Sequence, residues 1–158
     1  MSDTALEPSA ETRHEIVSFM IRDQAYCLEI EHVLEIRGWT KTTALPHAPS
    51  YVLGLMNLRG TVLPVVDLAA RLGLGATQPE SRHVIIIAIV NEKTAGFLVD
   101  TVSDIAMVSE SDLQATPNVS SEQTSRFIQG IYMIGDELVR AINANEIVPN
   151  TGLEEAVA

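Results

Sequence analysis

The sequence predicts an all-β chain, mostly β with short helices, on three observations. Short runs rich in Val, Ile, Leu and Thr recur along the chain, punctuated by Gly, Pro and Asn at strand-and-turn spacing. The hydrophobic share is 46% but only 4% is aromatic, so the core is aliphatic, a palette that suits small barrels and sandwiches. The 158 residues suffice for one domain or two small lobes with a real core. The pattern argues for two small barrels, although composition alone does not separate them from a single sandwich.

The elements follow in order. Residues 1–13 are polar and acidic without an apolar signal region and read as a disordered tail; the domain is expected over 14–149, with a C-terminal tail over 150–158. Ile16 to Ile21 and Ala25 to Ile30 form a first hairpin across Arg22-Asp23-Gln24. Glu31 to Arg37 has the spacing of a short helix or helical turn, stopped by Gly38. Trp39 to Leu45 alternates as a third strand, and Pro46 to Ser50 is a loop that leads into Tyr51-Val52-Leu53. Arg59 then rides a tight bend beside Gly60, before a strand from Thr61 to Leu68. Pro64 has no N–H for a sheet ladder, which places that strand at an edge, a bulge or a barrel corner; an open edge invites a partner strand.

Leu68 to Leu74 reads as a short helix bridging two lobes, closed by Gly73 and Gly75. Gly75 to Ser81 reads as a flexible polar segment tolerant of insertion. Val84 to Val90 is apolar on both faces, the mark of a fully buried strand and the spine of a second lobe. Asn91 to Thr94 turns the chain, Ala95 to Val108 returns, and Ser109 to Arg126 is a long polar loop of the kind that carries function. Phe127 to Met133 and Leu138 to Asn143 make a last hairpin, and Ala144 to Val148 starts a terminal helix.

The run Asn57-Leu58-Arg59-Gly60-Thr61-Val62-Leu63-Pro64-Val65-Val66-Asp67-Leu68 closely resembles the signature of the CheW family, adaptors that couple chemoreceptors to the histidine kinase CheA. The resemblance extends through Val33-Leu34-Glu35-Ile36-Arg37-Gly38, Gly96-Phe97-Leu98-Val99-Asp100-Thr101-Val102-Ser103-Asp104-Ile105, and Phe127-Ile128-Gln129-Gly130-Ile131, nearly the whole chain. It implies two SH3-like five-stranded barrels that share a core, and a non-enzymatic scaffold controlling kinase activity in chemotaxis. It further implies a cytoplasmic protein recruited to membrane-associated chemoreceptor arrays. The implied receptor-binding groove comprises Val33, Glu35, Gly54, Arg59, Val84, Val102 and Ile105. It would take a helical receptor tip by burying an apolar stripe. The implied kinase-binding residues are Trp39, Leu45 and Val119, against the regulatory P5 domain of CheA. Val119 stands where relatives often carry an aromatic, and Arg140-Ala141-Ile142-Asn143-Ala144 where they usually have a more aliphatic strand and an aspartate before the last helix.

The remaining composition narrows the function classes. A net charge of −11 disfavours nucleic acid and direct insertion into an anionic membrane, and favours a protein partner. The histidines His14, His32, His47 and His83 lack the spacing of a zinc site, so neither a metal nor another cofactor is expected. No Walker loop, nucleophile elbow or dinucleotide fingerprint is present. Glu29, Glu31 and Glu35 read as a solvated face. Asp67 and Asp100 read as carboxylates that accept backbone N–H groups at element ends. Cys27, the single cysteine, reads as a small core residue. Two readings stand against the adaptor of chemotaxis: a similar adaptor in a non-motility chemosensory pathway, and a small β-barrel hydrolase using Glu35 or Asp67.

Overall fold

The computed structural model describes residues 13–116 and 126–148. Both tails, Val119 and the Pro117 region of the long loop lie outside the described residues. The chain forms β1 (Arg13–Ile21), β2 (Gln24–Glu29), a 3-10 turn (Ile30–His32), β3 (Val33–Gly38), β4 (Val52–Leu58), β5 (Thr61–Asp67) and helix α1 (Leu68–Arg71). It continues with β6 (Val84–Val90), β7 (Lys93–Val99), β8 (Thr101–Ser109), a 3-10 turn (Glu110–Asp112), β9 (Ile128–Ile134), β10 (Glu137–Ile142) and helix α2 (Ala144–Ile147). The strands pair into two five-stranded sheets, ordered β8-β1-β2-β10-β9 in the first lobe and β3-β6-β7-β5-β4 in the second. The mostly β prediction holds. The strand pairings define sheets, and the barrel closure remains what the resemblance implies.

The two sheets are built alike. In each, a tight hairpin is joined in parallel to a second hairpin, β2 to β10 in one and β7 to β5 in the other. The edge strand beside the first hairpin is exchanged: β3 leaves β2 to pair with β6, while β8 leaves β7 to pair with β1. Register shows that the halves correspond residue for residue. Val33 faces Ala88 and Ile36 faces Ile86, just as Val102 faces Phe19 and Ile105 faces Val17, with a register shift at the same place in each. Val52 faces Val66 and Leu58 faces Thr61, as Ile128 faces Ile142 and Ile134 faces Glu137. The first hairpins turn on Arg22-Asp23 and Asn91-Glu92, all four with positive φ, which matches the right-handed twist of the flanking strands.

Strands apolar on both faces serve two cores. On β6, Ile85 and Ile87 join Met56, Leu58, Leu63, Val65 and Leu98 inside the second lobe. Ile86, Ala88 and Val90 turn the other way, into a core shared with Phe19, Ile21, Tyr26 and Leu28 of the first lobe. Ile16, Ala25, Cys27, Tyr132, Val139 and Ala141 fill the first lobe's own interior. Burying each Val, Leu, Ile, Phe or Met side chain among them contributes about 1.5–3 kcal/mol, and a one-residue slip would exchange the two sets.

Three readings are corrected and a fourth is narrowed. Glu31 to Arg37 is one 3-10 turn followed by strand β3, because Val33 and Ile36 gain partners on β6. Trp39 to Leu45 is not a strand; Thr43 alone bridges to Leu55 and covers the outer side of β4. The return from Ala95 to Val108 is two strands in different sheets, parted at Asp100, whose N–H donates to the Met20 carbonyl. Of the edge, bulge or corner read for β5, the edge is excluded, since the strand lies inside its sheet, while the β4–β5 register does shift beside Val65 and Val66. Pro64 is tolerated because it precedes Val65, where pairing with β7 begins. The facing Leu55 exchanges both backbone bonds with Thr43 instead.

Candidate functional site

Asn57 and Arg59 set the geometry at the tip of the β4–β5 hairpin. Arg59 and Gly60 have φ of 51° and 89°, and the Asn57 Oδ1 accepts the Gly60 N–H at 2.9 Å. The bend predicted from the sequence is present, and it points Arg59 at the edge strand β3. There Arg59 Nη2 donates to Glu35 Oε1 at 2.5 Å, while Arg37 Nη1 donates to Glu35 Oε2 at 3.3 Å. Glu35 is therefore no idle surface carboxylate. The Arg59 hydrogen bond, with help from both positive charges, holds its carboxyl below the usual glutamate range. The Arg59 side chain remains 70% exposed, and apart from Nη2 its fork has no other bond among the described residues.

Val33, Val84 and Val102 are half-buried and pack against the shared core from the seam between the lobes. Ile105 faces Val17 on β1, two residues from the shared-core residue Phe19, so it lies on that same side of its sheet, 52% exposed. Ile36 is its counterpart on β3, facing the shared-core residue Ile86 and 44% exposed. Sequence reasoning missed Ile36. The signal was available in the repeat of Val33-x-Glu35-Ile36 as Val102-x-Asp104-Ile105. Gly54 does not belong to the Arg59 bend: it sits at the other end of β4 with φ of 148°, where a Cβ would come within 2.5 Å of the Thr43 carbonyl oxygen.

The residues assigned to kinase binding are more dispersed. Trp39 is half-buried against the second lobe's core and donates its backbone N–H to the His83 carbonyl at 3.0 Å. Leu45 lies in the following loop, where its carbonyl accepts the Ala48 N–H at 3.3 Å. Val119 lies outside the described residues.

The other carboxylates have structural work. Asp67 is 2% exposed; its Oδ2 accepts the Thr77 N–H at 2.6 Å and its Oδ1 the Ala70 N–H at 3.4 Å. That caps α1 and ties down the segment read as flexible, which Arg22 Nη2 also holds through the Gly75 and Ala76 carbonyls. Asp100 Oδ2 accepts the Arg22 N–H at 3.0 Å. Glu29, Glu31 and His32 bring ligand atoms within 4.8 Å of one another at the first crossover. This grouping was invisible in the histidine spacing, and as a half-exposed surface trio it makes no site. Burial pushes the Cys27 thiol up to about 12, that of an inert core residue.

The profile of the CheW-like domain matches residues 15–151 of this chain. The chain belongs to the CheW family. It is 46% identical over 142 residues to the chemotaxis protein CheW of Rhizobium meliloti (strain 1021), covering 90% of this chain and 92% of that protein. It is 47% identical, with the same coverage, to the probable chemotaxis protein CheW of Rhizobium etli. The crystal structure of the scaffolding protein TtCheW from Thermoanaerobacter tengcongensis matches with a TM-score of 0.78 at 29% identity, covering 88% of this chain and 90% of that one. CheW-family membership makes this a chemotaxis scaffold and no enzyme, consistent with an Asp67 carboxylate already engaged by backbone N–H groups. Among the described residues no helix is long and apolar enough to cross a membrane.

Proposed function

We propose that the chain works as a non-enzymatic adaptor that couples chemoreceptors to the histidine kinase CheA, with the receptor tip seated along the seam between the two lobes. The observation that carries this reading is the Arg59–Glu35 pair on β3, the strand whose Val33 packs half-buried against the core shared by the two lobes. Glu35 fixes where the guanidinium stands, and the free donors of its planar fork can reach a carboxylate or carbonyl of a docked helix. Val33, Val84, Val102, Ile105 and the newly recognised Ile36 supply the apolar contacts. Binding of this kind is short-range and only moderately salt-sensitive.

The regulatory P5 domain of CheA is the second partner, met by the surface around Trp39 and Leu45, with Val119 on the loop beyond. A cytoplasmic location and recruitment to receptor arrays follow from that role. The test is kinase autophosphorylation in membranes with a cognate receptor, comparing wild type with Arg59→Ala and Arg59→Lys after each variant is shown to be folded. Loss of receptor-dependent activation in the alanine variant, with weak rescue by lysine, is expected. Full activation by folded Arg59→Ala would rule out this arginine as a groove element.

A further inference from the structure

Tyr51 and Phe127 are the same residue of the two halves. Each immediately precedes the second hairpin of its lobe, and each gives its carbonyl to the residue before a short helix, Asp67 N–H to Tyr51 at 2.8 Å and Asn143 N–H to Phe127 at 2.7 Å. One guanidinium contacts both rings, while that of Arg126 lies over Phe127 alone at 5.2 Å. Arg71, on α1 of the second lobe, lies 4.1 Å from the Tyr51 ring centre and 4.8 Å from that of Phe127. Its Nη2 donates to the Glu146 carbonyl of α2 at 3.2 Å, so it bonds the other half as well as stacking on it.

The arrangement is costly in the way of a positioning device. Arg71 Nε is buried with no hydrogen-bond partner among the described residues, and burial lowers the guanidinium's pKa. The equivalent residue of the other half is Ile147, fully buried in the shared core. Of the two equivalent helix positions, only that of the second lobe carries a cation. The planar group can stack on both rings at once, a role lysine fills less well.

We propose that Arg71 is a positioning residue that fixes the angle between the two lobes and thereby the width of the seam on which Val33, Val84 and Val102 sit. Tyr51, one ring of the clasp, and Leu72, next to Arg71, pack against the same shared core as those three valines. The core spans both sheets, so Arg71→Met is expected to remain folded. The link from lobe angle to receptor affinity rests on the groove reading above; the lobe angle itself does not.

The experiment places spin labels on Thr61→Cys and Glu137→Cys, exposed equivalents at the two hairpin tips, with buried Cys27 left unmodified. Interlobe distance distributions are measured for wild type, Arg71→Met and Arg71→Lys, alongside urea unfolding and affinity for a receptor cytoplasmic fragment. A folded Arg71→Met with a clearly broader or shifted distribution, partly restored in Arg71→Lys, is expected. Receptor affinity should fall roughly two- to thirty-fold, the range through which residues outside a site modulate it. An unchanged distribution in folded Arg71→Met overturns the proposal. A broadened distribution with unchanged affinity supports the clasp and counts against the groove.

Discussion

The two lobes share one plan, yet only the second carries the arginine lock. Glu35 of β3 and Asp104 of β8 occupy equivalent places, facing Ile87 and Ser18 respectively. Glu35 is held by Arg59 from the neighbouring hairpin tip. In the first lobe that tip position is Gly135, and Asp104 Oδ1 accepts only the adjacent Ile105 N–H among the described residues. The lesson is that a repeated scaffold provides two equivalent apolar walls, while small differences at equivalent positions decide which wall carries directional chemistry.

The largest effect that would sharpen the comparison is at the paired glycines. Gly54 and Gly130 both let a loop approach a strand, but a Cβ on Gly54 meets the Thr43 carbonyl oxygen at 2.5 Å with φ already at 148°. On Gly130 it meets the Gln114 carbonyl oxygen and the flexible Leu113 side chain, each at 2.7 Å, without a positive φ. Gly54→Ala is expected to cost about 3 kcal/mol and Gly130→Ala about 1–2 kcal/mol in urea unfolding. Equal costs would show that backbone conformation does not separate the two sites.

A smaller contrast lies at the helix starts. Asp67 caps α1 through its side chain, whereas Asn143, its equivalent before α2, makes no side-chain cap bond. Asp67→Ala should lose about 1–2 kcal/mol and Asn143→Ala only a few tenths. The smallest effect concerns pH. Because Glu35 titrates below its ordinary 4.5 in the folded protein, its pairing contributes above that value and is lost as pH falls through the lower folded pKa. In Arg59→Ala its carboxyl resonance should titrate at higher pH than in wild type. No movement would assign the depression to Arg37 instead.

Much of the site was legible because its residues are contiguous in the chain. The Arg59 bend needs only Asn57, Gly60 and the strand that follows, and local turn chemistry placed it correctly. The Val84 to Val90 run was legible for the same reason, since burial on both faces demands apolar residues at every step. The resemblance set Glu35 in the groove, but its neighbours in sequence read as a solvated face, because its partner Arg59 lies on another hairpin. Ile36 and the Arg71 clasp were hidden because the internal repeat, plain in Tyr51-Val52-Leu53-Gly54 and Phe127-Ile128-Gln129-Gly130, acquires meaning only once the strands are paired.

By itself the sequence determined the mostly β class, the tight turns, the aliphatic core and the family, all of which follow from side-chain type and short-range spacing. Only the tertiary structure decided that β3 and β8 change sheets, that Asp100 divides what reads as one strand, and that Arg71 contacts two equivalent rings. An apolar strand carries no record of which neighbour it will pair with; that choice is made by which pairing buries both of its faces at once.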